Sequence, residues 1–157
     1  MLAMMGSLSN LFSTNDKPYL DSRIVENLFC RCLNAINLSR SDITADAKKE
    51  NIGIGIKTWI NSDLQKIAEF NHENKEYVSL DVEKKIYKIA ELRNKRIEFT
   101  QRSQNLERMV YHCVKREMGK IELYECPLEK INIDKINKKE LYGKTLYNMF
   151  TKSKYFG

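Results

Sequence analysis

Between Ser41 and Trp59 the chain reads SDITADAKKENIGIGIKTW, and this stretch constrains the fold more than any other. Ile43, Ala45 and Ala47 alternate with Asp42, Thr44, Asp46 and Lys48; then Ile52, Ile54 and Ile56 alternate with Gly53, Gly55, Lys57 and Trp59. Successive side chains of a strand point to opposite faces, so the pattern predicts two strands, residues 42–48 and 52–59, joined by a polar turn. Turn length decides which groups meet. With Glu50-Asn51 as a two-residue turn, Lys48 lies opposite Gly53, Asp46 opposite Gly55 and Thr44 opposite Lys57. Asp42 and Asp46 are then the diagonal neighbours of Lys57. A three-residue turn would instead set Asp46 opposite Ile54 and separate these groups. The even turn is preferred because it keeps the isoleucines and alanines on one face.

Around this hairpin the pattern alternates between helix and strand. Asp21 or Ser22 caps a helix reaching about residue 36, with Ile24, Leu28, Phe29, Cys32, Leu33 and Ile36 as its apolar stripe. A short helix is predicted over 62–70, NHENKEY as a loop, and a longer helix from Ser79 or Asp81 to about 102. A second hairpin follows, 109–115 and 120–126, then a short strand INIDKI and a helix near 139–150. This order predicts an α/β or α+β fold: a central mixed β-sheet flanked by helices, in one domain spanning 1–157. Residues 1–18 are expected to be a disordered or peripheral N terminus.

The chain has 157 residues, 42% hydrophobic and 31% charged, and a formal net charge of +6. No apolar run approaches the roughly 20 residues of a membrane span, and the start has no basic region before an apolar one, so neither an anchor nor a secretory signal is expected. Cys30, Cys32, Cys113 and Cys126 show no metal-type CxxC spacing, which fits reduced thiols in a cytoplasmic protein. Zinc bound by Cys30, Cys32, Cys113 and His112 or Cys126 is a weaker alternative; His112 alternates with Val110 and Val114, which predicts a strand-buried histidine rather than a catalytic one. The basic excess is local: residues 81–120 carry 11 basic against 6 acidic groups, whereas residues 1–80 carry 9 against 10. A basic segment of this kind fits a polyanionic partner. Lys48, Lys84, Lys88, Arg93, Arg96, Arg102, Arg108, Lys115 and Arg116 are the candidates for following a DNA backbone.

Two carboxylates and a lysine on one face suit phosphodiester hydrolysis. Carboxylates that hold Mg²⁺ help acidify water and neutralise phosphate charge, and a neighbouring lysine orients the water or stabilises the oxyanion. Gly53 and Gly55 would leave that face bare for a phosphate to approach. Glu26, one turn before Cys30 at the border of the helix stripe, is a further carboxylate; its plainer role is a salt bridge with Arg23. The plainer reading of the hairpin is a solvent-facing pair of strands with ordinary Asp–Lys contacts.

A helix bearing a glutamate, followed by a hairpin with Asp on its first strand and xxK on its second, resembles the PD-(D/E)XK nuclease superfamily. Within it, NLFCRCLNAINLSRSDITADAKKENIGIGIKTW, LQKIAEFN and KIAELRNKRIEFT resemble a group of type II restriction endonucleases, over roughly residues 19–136. The resemblance implies a restriction-endonuclease-like core and a Mg²⁺-dependent, sequence-specific DNA endonuclease. It also implies double-stranded DNA as partner, a homodimer for two-strand cutting, and no small-molecule cofactor. Asp46 takes the role of the metal-binding aspartate, with Asp42 the competing candidate. Lys57 takes the role of the motif lysine, and Glu26 resembles the first-helix carboxylate of some members. The chain departs from the pattern two residues before the lysine, where Gly55 replaces an acid. Glu26, Glu50 or Glu69 would have to stand in for it, or the site is weakened. The chain is also short for a whole restriction enzyme, so the C-terminal recognition part is expected to be incomplete. A catalytically inactive DNA-binding module on the same scaffold, an RNA-directed nuclease and a protein-interaction domain remain as alternatives.

Overall fold

The computed structural model describes residues 1–9, 11, 17–60, 70 and 72–136. In chain order the elements are α1 (Leu2–Ser9), α2 (Ser22–Leu33), β1 (Ile36–Asn37), β2 (Ala47–Lys49), β3 (Ile52–Ile60), α3 (Asn74–Tyr77), α4 (Val82–Gln104), β4 (Arg108–Glu117) and β5 (Lys120–Pro127), with a 3-10 turn at Ile133–Lys135. The chain divides into two compact units, residues 1–63 with 99–129 and residues 64–98 with 130–157.

The first unit contains the sheet. Asp21 caps α2: its carboxylate accepts from the Ile24 amide at 2.8 Å, satisfying a donor that a helix start leaves without a partner. Asn34 in the left-handed region, φ 51°, ends the helix. The helix is therefore shorter than its pattern predicts, and Ile36 enters β1 instead. Its buried face is Val25, Glu26, Phe29 and Cys30, while Cys32, Leu33 and Ile36 are exposed. Both faces repeat at i and i+4, so spacing alone does not choose between them. The observed face turns Glu26 inward. The N-terminal segment carries α1, where Gly6 and Ser9 are buried and Ser9 Oγ accepts from the Tyr19 amide at 2.8 Å.

Among the described residues the strands form one mixed five-stranded sheet in the order β1-β2-β3-β4-β5. Neighbours are antiparallel except β3 and β4, which run parallel. The architecture is α+β. The first hairpin pairs Lys48 with Gly53 and Ala47 with Ile54, which is the register of the even turn. Glu50 in that turn has φ 53°, the left-handed conformation that two-residue hairpin turns require. Beyond Ala47 the expected strand is not formed. Residues 41–44 are bends, and the Thr44 amide donates to Thr100 Oγ1 of α4 at 2.9 Å. Asp42 is consequently exposed and outside the sheet, and the pairing of Thr44 with Lys57 does not occur.

On one face of the sheet Ile54, Ile56, Ala47 and Val114 pack with Leu20, Val25, Phe29 and Cys30. On the other, Gly53 and Gly55 are buried. A Cβ at Gly53 would stand 2.6 Å from Leu106 Cδ1, and one at Gly55 would meet Leu128 Cδ1 and Tyr111 Cδ1 at 3.0 Å. The glycines make room for these side chains, so the expectation of a bare face at Gly53 and Gly55 is corrected. The second hairpin is slightly longer than predicted, with Gly119 at φ 70° in its turn.

In the second unit, Ile86, Ala90 and Ile136 form a buried cluster with Tyr87, Ile131 and Ile133. The Asn94 side chain donates to the Ile131 carbonyl at 2.8 Å and accepts from its amide at 2.7 Å. INIDKI, predicted as a strand, holds the 3-10 turn, and the predicted loop NHENKEY contains α3. Asp81 caps α4 through its carboxylate and the Lys84 amide. The helix predicted over 62–70 lies, apart from Phe70, outside the described residues, as does that over 139–150. No helix among the described residues is long and apolar enough to cross a membrane.

The strained turn gives a direct check on register. Glu50→Gly relieves a left-handed side-chain-bearing residue and is expected to stabilise the fold by about 1 kcal/mol in urea unfolding. A loss of stability would mean that the turn does not hold this conformation.

Candidate active site at the fork of the first hairpin

Asp46 lies where the chain peels away from β3. Its amide still donates to the Ile54 carbonyl at 2.8 Å, and its carbonyl accepts from the Leu38 amide at 2.9 Å. Its side chain fills the widening gap: Oδ2 accepts from the Ile56 amide at 2.7 Å. Lys57 Nζ stands 3.8 Å from the same oxygen, with both side chains about a quarter exposed at 26% and 22%. The approach of Lys57 to Asp46 depends on the even turn, and the two groups face solvent enough for a substrate to reach them.

Glu26 reaches this place from α2. Its side chain is 10% exposed and lies 3.6 Å from Arg23 Nη1, so the Arg23 salt bridge is present. Burial first, and then the Asp46 charge, raise its pKa, against the opposing pull of a Ser39 hydrogen bond and of the Arg23 and Lys57 charges. The buried Cys30 thiol is pushed up as well, by burial, then Glu26, then Asp46. Glu26, Asp46 and Lys57 thus belong to one electrostatic cluster.

Asn37 of β1 and Ser39 just after it extend it. Arg23 Nη1 donates to Ser39 Oγ at 2.9 Å, Ser39 Oγ donates to Asn37 Oδ1 at 2.7 Å, and Asn37 Nδ2 donates to Asn27 Oδ1 at 3.2 Å. No local signal distinguishes such a serine from one in any polar loop. The other proposed acids fall elsewhere. Gly55 has no space for a carboxylate. Glu50 is exposed at the turn, roughly 16 Å along β3 from Lys57 at ~3.3 Å per residue. Glu69 lies outside the described residues.

The basic residues assigned to a DNA backbone are largely held by the protein itself. Arg93 and Arg116 are buried; Arg116 donates to the Pro18 carbonyl at 3.3 Å, and burial pushes its guanidinium pKa down. Lys48 Nζ donates to the Gln104 carbonyl. Lys88 pairs with Glu76 at 2.9 Å, and Arg96 pairs with Glu73 at 3.3 Å and lies over the Phe70 ring. Lys115 pairs with Glu117 at 2.8 Å, and Lys84 with Asp81 at 3.2 Å. Arg102 and Arg108 are exposed. His112 stands 3.3 Å from Glu125 and packs against Phe29.

Among the described residues no three His, Cys, Asp or Glu side chains converge as a metal-binding group. The acidic pair at the fork is Glu26 and Asp46, two hard oxygen donors whose negative charges oppose each other. Mg²⁺ is held by one or two carboxylates with the rest of its shell in water and phosphate, so this donor set fits it. No protein-family profile matches the chain, and neither curated proteins nor solved structures give a match.

The raised Glu26 pKa fixes a pH dependence. The folded state holds the Glu26 proton more tightly than the unfolded chain, whose value is about 4.5. The resulting stabilisation is fully present below that value and is lost as pH rises through the raised one. Glu26→Gln should remove this loss, leaving the variant about 1 kcal/mol more stable than the parent near neutral pH; denaturant unfolding across pH measures it. Restoring the motif acid should fail: Gly55→Glu forces a carboxylate among Leu128 and Tyr111 and is expected to cost about 3 kcal/mol or more. A stable, folded Gly55→Glu variant in the same assay would contradict that packing.

Proposed function

We propose that this chain is a Mg²⁺-dependent DNA endonuclease of the restriction type, with a restriction-endonuclease-like core. The observation that carries the reading is the Asp46–Lys57 pair at the fork of the first hairpin, 3.8 Å apart, with the buried Glu26 of α2 within range of both charges. The mixed sheet flanked by helices, and the helix-then-hairpin order, support it. In this reading Glu26 takes the place of the acid missing at Gly55, and Asp46 and Glu26 hold the metal. Asp42 is set aside because the chain carries it out of the sheet.

A bound Mg²⁺ supplies charge neutralisation and acidification of water at the scissile phosphate. Lys57 would orient the attacking water by hydrogen bonding and offer its positive charge to the developing oxyanion. Arg23 holds Glu26 and Ser39 in place. Arg102 and Arg108 are the exposed cations of the first unit assigned to the DNA backbone. Double-strand cutting at a symmetric site would use two copies of the chain.

One observation favours a second reading, an inactive DNA-binding module on this scaffold. The space at Gly55 is closed by Leu128 and Tyr111, and Lys57 and Asp46 already neutralise one another.

Plasmid incubation with Mg²⁺ and with Mn²⁺, alongside DNA binding at low and high salt, separates the two. The nuclease reading expects cleavage, lowered about a hundredfold or more by Asp46→Asn, which keeps an acceptor for the Ile56 amide, and by Lys57→Met. It also expects Mg²⁺ to raise the melting temperature of the parent protein and not of Asp46→Asn. Salt-sensitive DNA binding without cleavage by either ion supports the second reading. Cleavage that survives both substitutions defeats the site assignment.

A further inference from the structure

Cys113 and Cys126 lie on the neighbouring strands β4 and β5. The ladder pairs Tyr111 with Cys126 and Cys113 with Tyr124, so the two cysteines are diagonal neighbours on one face of the sheet. Each thiol is close enough to shift the proton affinity of the other. Cys113 is 5% exposed and Cys126 is half-buried, so Cys126 is the more accessible of the two. The parallel ladder sets Lys57 beside Cys113.

We propose that Cys113 and Cys126 form a redox-active dithiol, a modification site at which a peroxide closes a reversible intramolecular disulfide between β4 and β5. This inference is independent of the nuclease reading.

The chemistry balances with hydrogen peroxide as the oxidant. The Cys126 thiolate attacks one peroxide oxygen; the O–O bond breaks and the departing hydroxide takes the thiol proton to become water. The resulting sulfenic acid is attacked at sulfur by Cys113. An S–S bond forms, the S–O bond breaks, and the leaving hydroxide takes the Cys113 proton as a second water. Two thiols are oxidised and one peroxide is reduced to two waters.

The order of attack follows from exposure and charge. Interaction with the neighbouring thiol pushes the Cys126 thiol down to about 7, whereas interaction with Cys126, together with burial, pushes Cys113 up. Thiolate character and access therefore both favour Cys126 as the attacking sulfur. Diagonal positions of an antiparallel pair lie about 7–8 Å apart at Cα, a little beyond the ~4.4–6.8 Å a disulfide usually spans. Closing the bridge draws the strands together, and a bridge strained in this way reduces readily.

Peptide mapping of the full chain tests this. The folded protein is exposed to one equivalent of hydrogen peroxide, alkylated, digested without reductant and analysed by mass spectrometry. The expected product is a linked pair of peptides carrying Cys113 and Cys126, two hydrogens lighter than their sum. It should disappear on dithiothreitol treatment, and be absent in Cys126→Ser and Cys113→Ala. Trp59, the single tryptophan, packs edge-on against Tyr124 at 5.7 Å, so its emission should fall on oxidation and recover on reduction in the parent protein itself, even if a variant folds poorly. The proposal is overturned if Cys113 and Cys126 remain alkylatable under conditions that oxidise the exposed Cys32. It is equally overturned if they form sulfenic or sulfinic acids without linking, or if the link appears only in urea.

Discussion

The hydrogen bond from the Ile56 amide to Asp46 Oδ2, at 2.7 Å, closes a gap that the departure of the chain from β3 would otherwise leave. Ile56 is among the most deeply buried side chains of the first unit, and an unpaired donor beside it would cost about 1–3 kcal/mol. The carboxylate substitutes for a strand at the point where β2 has ended. One oxygen accepts the amide and sets the distance to Lys57, so the local architecture and the candidate chemistry share a single atom. A substitution at Asp46 must therefore be read for both effects, and asparagine separates them better than alanine because it keeps an acceptor in place.

The register was legible because two independent signals agreed: alternation with period two on both sides of Glu50-Asn51, and an apolar face that only the even turn keeps together. The extent of the first strand was not. Asp42, Ile43, Thr44 and Ala45 alternate as a strand would, yet the Thr44 amide finds its acceptor at Thr100, 56 residues away. Alternation says nothing about such a partner. The glycines misled for a related reason. Gly53 and Gly55 suggested an open face, but what they admit is Leu106, Leu128 and Tyr111, all distant in the chain. A glycine in a strand signals a close approach, and the sequence alone does not tell a ligand from a leucine.

Charge was the weakest guide. The excess of basic residues over 81–120 pointed to a polyanion, yet Lys88, Arg96 and Lys115 lie within 3.3 Å of glutamates, and Arg93 and Arg116 are buried. A count of charges along the chain cannot subtract those that the fold engages for itself. Among the residues assigned to a DNA backbone, Arg102 and Arg108 are exposed in the first unit.

The placement of Glu26 carries the most consequence for any chemistry at the fork. A motif acid on β3 at position 55 would sit two residues from Lys57 and on its face, but that position is packed shut. Turning α2 so that Val25, Phe29 and Cys30 meet the sheet also buries Glu26, within range of the Asp46 and Lys57 charges. Its cost is visible in the Glu26 proton affinity: a carboxylate that has lost solvent and gained an anionic neighbour holds its proton unless a cation arrives. Arg23 and Lys57 supply part of that compensation now. Under the proposed reading Glu26 and Asp46 would hold the metal, and its charge would offset the repulsion between them.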